Sequence, residues 1–341
     1  MNVTIIDIAK LAGVGTSTVS RFLNGGYVSD VSREKIQQAI KETNYKPNNF
    51  AQHLKGKRSN LIGIIVPRLD SFAVSKMLNG IDATLKKHDM HMLIHTSQQA
   101  LDREIESLYS LATQKVAGIV LLATQITEQH LKTLDKVNIP CMLIGQQHPD
   151  LPYVIQDDYQ AAYSIAQHIV AQGHTQIAYF GVSEMDEAVG VHRKQGFMLA
   201  MQEHGLNEIS FVETSFSIDD AEQKALDFLT NIKITNKYNK PSIIACATDN
   251  IALGVMKAAG RLGLSIPKQL SITGFGGYDV SQIVQPHLTT IKFDYEATGA
   301  HAATNLIEWI EQRVSTPQNQ TMSYDLLVKE SVDNKNECAK I

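Results

Sequence analysis

Residues 4–24 constrain the fold of this chain more than any other segment, because they have the pattern of two short helices joined by a tight turn. Thr4 is a suitable N-cap for the first helix. Gly13 favours a sharp turn, since glycine adopts backbone conformations that other residues avoid. Val19 and Leu23 are four positions apart and therefore share the inner face of the second helix.

The outer face of that second helix carries short polar side chains and one arginine. It shows Thr16, Ser17, Ser20 and Arg21, with Thr18 beside them. A helix fits the DNA major groove, which is about 12 Å wide, and such side chains form hydrogen bonds with base edges. The alternative interpretation is an ordinary helical hairpin in a globular core.

A third helix follows, and its end is marked clearly. Ser29 is a suitable N-cap, and Ile36, Ala39 and Ile40 are spaced to close a small three-helix core. Pro47 then stops the helix, because proline cannot continue it and disfavours helix at the preceding residue.

These segments resemble the headpiece of the LacI/GalR family of bacterial repressors. The family signature reads here as Asp7-Ile8-Ala9, Ala12-Gly13-Val14, Thr18-Val19-Ser20-Arg21 and Leu23-Asn24, followed by Asn44-Tyr45, Pro47-Asn48, Ala51 and Leu54. The resemblance implies a repressor that binds a near-palindromic operator as a homodimer. It adds further DNA contacts at Thr4, Asn24, Tyr45, Asn48, Ala51, Leu54 and Lys57. In the family, the leucine at the position of Leu54 enters the minor groove.

The charge distribution agrees with a polyanion-binding end on an acidic body. Residues 1–58 carry a net charge of +5, whereas the whole chain carries −4.

The three cysteines show neither metal-ligand spacing nor a disulfide framework. No apolar run reaches about 18 residues. We therefore expect a cytoplasmic protein without a membrane segment.

After residue 60 short apolar runs alternate with helical stretches, beginning with Leu61–Val66 and a helix over 74–88. Two such series predict two doubly wound, parallel α/β lobes. We find no dinucleotide-binding, Walker or nucleophile-elbow motif, and the twelve histidines lack metal-ligand spacing. We therefore expect that the protein is not an enzyme and that it binds neither a cofactor nor a metal ion.

The resemblance implies a core like that of the periplasmic sugar-binding proteins, in which the chain crosses between two lobes three times. The predicted order is a headpiece at 1–47, a hinge helix or linker at 48–59, the core at 60–331 and a tail at 332–341. Lobe 1 takes about 60–156 and 291–318, and lobe 2 about 157–290 and 319–331. The tail has no leucine heptads, which predicts a dimer rather than a zipper-linked tetramer.

Loops that follow parallel strands line ligand clefts, and here they offer the mixture of groups that suits a sugar. Amides, carboxylates and an arginine pair with hydroxyls, and an aromatic ring covers an apolar sugar face. The candidates are Arg68, Asp70, Ser71, Phe72, Gln125, Gln146, Arg193, Asp249 and Phe275. The family resemblance supports two of them in particular, because its Arg-x-x-Gly-Phe marker begins at Arg193 and its late Asp corresponds to Asp249.

Four cleft segments look most like those of sucrose operon repressors from low-GC Gram-positive bacteria, namely Pro67–Ser71, Leu143–Pro149, Val189–Phe197 and Gly274–Asp279. That points to sucrose or a sucrose or disaccharide phosphate as the effector. The first of the four segments also resembles the corresponding segment of trehalose repressors. A regulator that responds to trehalose phosphate, another metabolite or a phosphoprotein such as phosphocarrier protein stays open, as does a sugar-binding protein without a regulatory role.

Overall fold

The computed structural model describes residues 3–23, 26–45, 59–235 and 240–338. The chain forms two compact units, Met1–Ser59 and Asn60–Ile341. We call the first unit the headpiece and the second the core, and each is described by itself.

The headpiece consists of three helices whose ends follow from local sequence. They are α1 (Ile5–Ala12), α2 (Thr16–Leu23) and α3 (Asp30–Thr43). The Thr4 backbone N–H donates to the Asp7 carboxylate over 2.9 Å, and the Thr4 hydroxyl accepts from the Asp7 N–H over 3.4 Å. The Thr4 hydroxyl and the Thr4 backbone N–H both donate to the Asp7 carboxylate, and these two hydrogen bonds lower the pKa of Asp7. Gly13 ends α1 with φ of 63°, in the left-handed region that favours glycine.

The predicted apolar positions form the headpiece core. Ile8, Val19 and Ile36 are fully buried, and Leu23 and Ile40 pack against them. Burial of this apolar stripe is what holds three helices of this length together, because such short helices are marginal alone.

The core contains two six-stranded sheets. The first is built from β1 (Leu61–Val66), β2 (His91–Thr96), β3 (Gly118–Leu121), β4 (Cys141–Ile144), β5 (Tyr153–Gln156) and β11 (Gln320–Met322). The second is built from β6 (Ile177–Gly181), β7 (Ser210–Glu213), β8 (Ile243–Cys246), β9 (Ser271–Gly276), β10 (Thr289–Phe293) and β12 (Tyr324–Leu327). We call these sheets, with the helices on them, lobe 1 and lobe 2.

Strand order confirms the predicted fold class of two doubly wound lobes. The orders are β11-β5-β4-β3-β1-β2 and β12-β10-β9-β8-β6-β7, and all pairings are parallel except that of β12 with β10. The chain crosses between the sheets after β5, after β10 and between β11 and β12. The last two crossings follow Phe293 and Met322, a few residues later than the predicted boundaries at 290 and 318.

Helices cover both faces of the sheets. They are α4 (Phe72–Lys86), α5 (Leu101–Thr113), α6 (Glu128–Val137), α7 (Asp158–Ala171), α8 (Arg193–Glu203), α9 (Ile218–Thr235), α10 (Asp249–Arg261), α11 (Tyr295–Ile310) and α12 (Lys335–Cys338). A π-helical turn, Glu187–His192, leads into α8. Helices α4 and α11 touch at two glycines, since a Cβ on Gly80 would lie 1.9 Å from the Glu296 carbonyl oxygen. One on Gly299 would lie 2.0 Å from the Met77 carbonyl oxygen.

Candidate functional site

The candidate DNA-reading residues of the headpiece lie on α2. Thr16, Ser17 and Arg21 are exposed, whereas Thr18 and Ser20 are half-buried. The side chains of the first three therefore form a polar surface opposite the buried Val19. This is the arrangement that a groove-reading helix requires.

Other predicted DNA contacts have different surroundings. The Thr4 hydroxyl is engaged with the Asp7 carboxylate over 2.7 Å, and Tyr45 packs partly buried against the headpiece core. Asn24, Asn48, Ala51, Leu54 and Lys57, together with nearly all of the proposed hinge, lie outside the described residues.

Two adjacent cavities lie between the lobes, at the carboxyl ends of the strands. We call the larger one, of about 1010 Å³, the outer cavity. The smaller one, of about 130 Å³, is called the inner chamber. The two share Arg68, Gln99, Thr124, Asp186 and Phe216 as lining residues. Small-molecule sites enclose about 300–1,000 Å³, so the outer cavity has room for a disaccharide and the inner chamber alone does not.

The structure places about half of the predicted effector residues on these cavities. Arg68 lines both cavities and Asp70 lines the outer one. Ser71, Gln146 and Arg193 line the inner chamber. The Gln146 amide is held there because its Nε2 donates to the Thr124 carbonyl over 2.9 Å.

Arg193 is a rigid donor at the base of the cleft. Its Nε donates to Asp158 Oδ1 over 2.7 Å, and Nη1 donates to the Ala247 carbonyl over 2.7 Å. The guanidinium carbon lies 4.1 Å from the centroid of the Phe275 ring. Burial acts to lower the pKa of Arg193, but the Asp158 carboxylate outweighs it and the net direction is upward. A guanidinium has five N–H groups, so the described bonds leave further donors for a ligand.

Asp249 does not contact the cavity, which corrects the sequence prediction. The residue is 0 % exposed, and its Oδ2 accepts from the Tyr278 N–H and the Ser281 hydroxyl, each over 2.6 Å. Its Oδ1 accepts from the Thr290 hydroxyl, also over 2.6 Å. Burial raises the pKa of Asp249, and these hydrogen bonds oppose the shift. The carboxylate therefore holds the loop after β9, and the preceding Thr248 lines the inner chamber instead.

Three more predicted effector residues line neither cavity among the described residues. Phe72 packs on Tyr278 with a ring-centroid distance of 4.5 Å, so it lies in an aromatic contact between the lobes. Phe275 is 3 % exposed, and its ring packs against the Arg193 guanidinium. Gln125 is exposed and points to no cavity that the structure describes.

Sequence reasoning missed several lining residues. The most important are Asp158, Asp186, Phe216, Thr248 and Tyr278. Phe216 lies between β7 and α9, two elements that the sequence analysis did not predict. The signal was the position of these two acids at helix starts, since Asp158 is the first residue of α7 and Asp186 directly precedes the π-helical turn. Ordinary capping and first-turn carboxylates occupy the same positions.

Contacts across the cleft connect the two lobes. The Arg68 guanidinium lies 4.5 Å from the Phe216 ring centroid. Lys76 Nζ lies 3.2 Å from an Asp279 carboxylate oxygen. The Glu187 N–H donates to the Thr124 carbonyl over 3.2 Å. The lobes are thus in contact at three places along the cleft.

A helix-turn-helix headpiece with a polar reading helix, followed by a two-lobed core with a cleft, defines a ligand-controlled DNA-binding regulator. A model described as bacterial regulatory proteins, lacI family, matches residues 4–48. A second model, described as periplasmic binding proteins and sugar binding domain of LacI family, matches residues 59–338. The chain therefore belongs to the LacI family of DNA-binding transcriptional regulators, which are not enzymes.

Individual relatives cover nearly the whole chain. A sucrose operon repressor from Staphylococcus xylosus is 39% identical over 91% of this chain and 94% of its own length. Catabolite control protein A from Priestia megaterium is 30% identical over 92% and 94%. The solved structure of the lac repressor dimer bound to operator and the anti-inducer ONPF has a TM-score of 0.87 at 25% identity, covering 98% of this chain and 100% of that one.

Two further properties concern the described residues only. Within the described ranges, no helix has both the length and the apolar character needed to cross a membrane. The same ranges bring together no group of three or more His, Cys, Asp or Glu side chains that could hold a metal ion.

Proposed function

We propose that this regulator is a homodimeric repressor of a sugar-utilisation operon, and that a disaccharide-class sugar, sucrose or its phosphate, controls it from the cleft between the lobes. The observation that carries the proposal is the outer cavity of about 1010 Å³, whose lining combines polar side chains from both lobes with the Phe216 ring. The sucrose operon repressor among its relatives supports the choice of sugar.

The cleft also supplies a way for the sugar to act. Arg68 belongs to lobe 1, whereas Phe216 and Asn250 belong to lobe 2, and all three line the same cavity. A ligand that touches both lobes favours the lobe spacing that it fits best. It shifts an equilibrium only by the difference in its affinity for the two states, which is typically about 1–3 kcal/mol.

The DNA-binding part of the proposal assigns base reading to the exposed face of α2. Two copies of this helix in a dimer would read two half-sites of a near-palindromic operator, with a spacing set by the dimer. We assign the residues beyond Tyr45, including Leu54, to the operator contact by family resemblance.

The test measures affinity for a palindromic operator, obtained by selection from random DNA, in the presence of separate probes. The probes are sucrose, sucrose 6-phosphate, trehalose and phosphorylated phosphocarrier protein. We expect one of the sugars to change operator affinity and the phosphocarrier protein to leave it unchanged. A response to the phosphocarrier protein alone would replace the sugar model with a protein corepressor.

A further inference from the structure

The helices of lobe 2 that begin at the cleft carry their own carboxylates. Helix α7 begins with Asp158, α9 has Asp219 and Asp220 in its first turn, and α10 begins with Asp249. Asp186 precedes the π-helical turn in the same way. A helix N-terminus has a partial positive charge that attracts anions, and a carboxylate in the first turn already neutralises it.

These carboxylates also occupy backbone donors that a phosphate group would need. The Ser215 N–H donates to Asp220 Oδ2 over 2.6 Å, and the Val189 N–H donates to Asp186 Oδ1 over 2.9 Å. A phosphate bound at these places would have to displace an internal acceptor. The π-helical turn and the loop before α9 therefore have these backbone donors already occupied.

The cations of the cleft are engaged in a similar way. Arg193 lies 2.7 Å from Asp158, and Lys257 lies 2.6 Å from Glu222. Arg68 lies 3.6 Å from Asp70. Among the described residues, the remaining cation of the lining is Lys224, which is exposed.

Carboxylates outnumber cations in the lining of the outer cavity. The acids are Asp70, Asp186, Glu213, Asp219 and Asp220, and the cations are Arg68, Lys224 and Lys257. A phosphate monoester has a charge of about −1.5 to −2 at pH 7. The cavity would repel such a group, whereas the hydroxyls of a neutral sugar pair equally well with carboxylates and with cations.

We infer that the cleft selects an uncharged sugar and discriminates against its phosphorylated form. This inference rests on the proposed sugar effector and narrows it. The discriminating residues are the carboxylates of lobe 2 at the cleft, with Asp219 and Asp220 at the start of α9 as the most accessible to substitution.

Calorimetry on the full-length protein tests the inference with sucrose, trehalose and the 6-phosphate of each. We expect the neutral sugar to bind at least about tenfold more tightly than its phosphate, a difference of about 1.4 kcal/mol. The double variant Asp219→Asn, Asp220→Asn should reduce this ratio, since asparagine keeps an acceptor oxygen for the Ser215 N–H. The double variant Glu106→Gln, Asp135→Asn removes two charges from exposed positions on α5 and α6 and should leave the ratio unchanged.

Salt gives an independent readout. Raising the ionic strength from 0.1 to 1 M shortens the Debye length from about 10 to 3 Å. The ratio of the two affinities should therefore fall as salt rises, which a purely steric preference would not do.

The possible outcomes distinguish a failure of this inference from a failure of the proposed sugar effector. A sugar phosphate that binds more tightly than its neutral parent would overturn this inference and leave the proposed sugar effector intact. No binding of any of the four compounds at millimolar concentration would overturn the proposed effector itself, and the inference with it.

Discussion

Asp249 shows how much one buried carboxylate can organise. Its two oxygens accept three hydrogen bonds from a loop and a strand that are distant in sequence, at Tyr278, Ser281 and Thr290. Because Tyr278 lines the inner chamber, Asp249 shapes the site without touching a ligand.

We predict that Asp249→Ala lowers the free energy of unfolding by about 3 kcal/mol, because it leaves buried donors without an acceptor. Asp249→Asn keeps one acceptor oxygen and should cost clearly less. Chemical denaturation of both variants checks this. An alanine variant that is as stable as the wild type but does not respond to effector would show instead that Asp249 contacts the ligand.

The start of helix α10 shows a limit of prediction from sequence. Thr248 and Asp249 both follow a buried strand, and both are good helix caps. Which side chain faces the chamber depends on whether the helix begins one position earlier or later, and the Thr248 hydroxyl takes the capping role by accepting from the Ile251 N–H over 3.2 Å. Sequence alone does not resolve a helix start to one residue.

At the scale of elements, the headpiece could be predicted almost completely because its signals are local. The cap at Thr4, the turn at Gly13 and the apolar spacing through Ile36 all lie within a few turns of one another. One of the missed elements lacks such a signal. Strand β7 is an edge strand in which Phe211 is 43% exposed, so it shows no buried apolar run. Helices α6 and α9 went unpredicted too.

Helix α2 supports a prediction about base reading. Arg21→Ala should weaken operator binding by about 1–3 kcal/mol and relax the preference at one base position in each half-site, since an arginine fork pairs well with guanine. Lys41→Ala, an exposed change on α3, serves as the control and should keep the sequence preference. Binding selection on random DNA compares them, and an unchanged profile for the arginine variant would remove Arg21 from the reading set.

The segment after β12 is attached to lobe 2 through His174. The imidazole Nδ1 lies 2.8 Å from the Ser242 hydroxyl, and Nε2 lies 3.0 Å from the Asp333 carbonyl oxygen. Burial lowers the pKa of His174 to about 4, from an ordinary value of 6.5. The folded protein thus holds this histidine neutral under conditions where the unfolded chain would protonate it.

That difference predicts a pH dependence. The stabilisation is complete above pH 6.5 and is lost as the pH falls towards about 4, because the unfolded state binds the proton more tightly. We expect a loss of about 2 kcal/mol over this range, after allowance for partial solvent screening. His174→Gln still donates to the Asp333 carbonyl but does not titrate, so its unfolding free energy should vary less with pH. Equal pH slopes for the two proteins would contradict the assignment.

In the core as a whole, the three crossings between the sheets make the two lobes parts of one continuous unit. Residues of α11 pack on lobe 1 directly after β10 has paired in lobe 2. A change in lobe spacing must therefore be absorbed at these crossings. The fold class was predictable from the alternation of strands and helices, whereas the pairing of β11 and β12 with different sheets depends on long-range contacts that periodicity does not encode.

Arg193 and Asp158 form an ion pair at the base of the cleft, and substitution of both residues separates the ligand response from DNA binding. Arg193→Ala alone would leave Asp158 buried without its partner, which is strongly destabilising. The double variant Arg193→Ala, Asp158→Asn removes both charges together. It leaves the headpiece sequence unchanged.

Titration of operator with this double variant and with the wild type, each with and without sucrose, tests whether Arg193 and Asp158 couple the cleft to DNA binding. We predict that sucrose changes the operator affinity of the wild type by a factor of about 5–150. The ligand-free double variant should bind operator with the same affinity as the ligand-free wild type and should not change on adding sucrose. A variant that responds fully to sucrose but binds operator weakly would contradict the claim that the cleft, through Arg193, senses the effector.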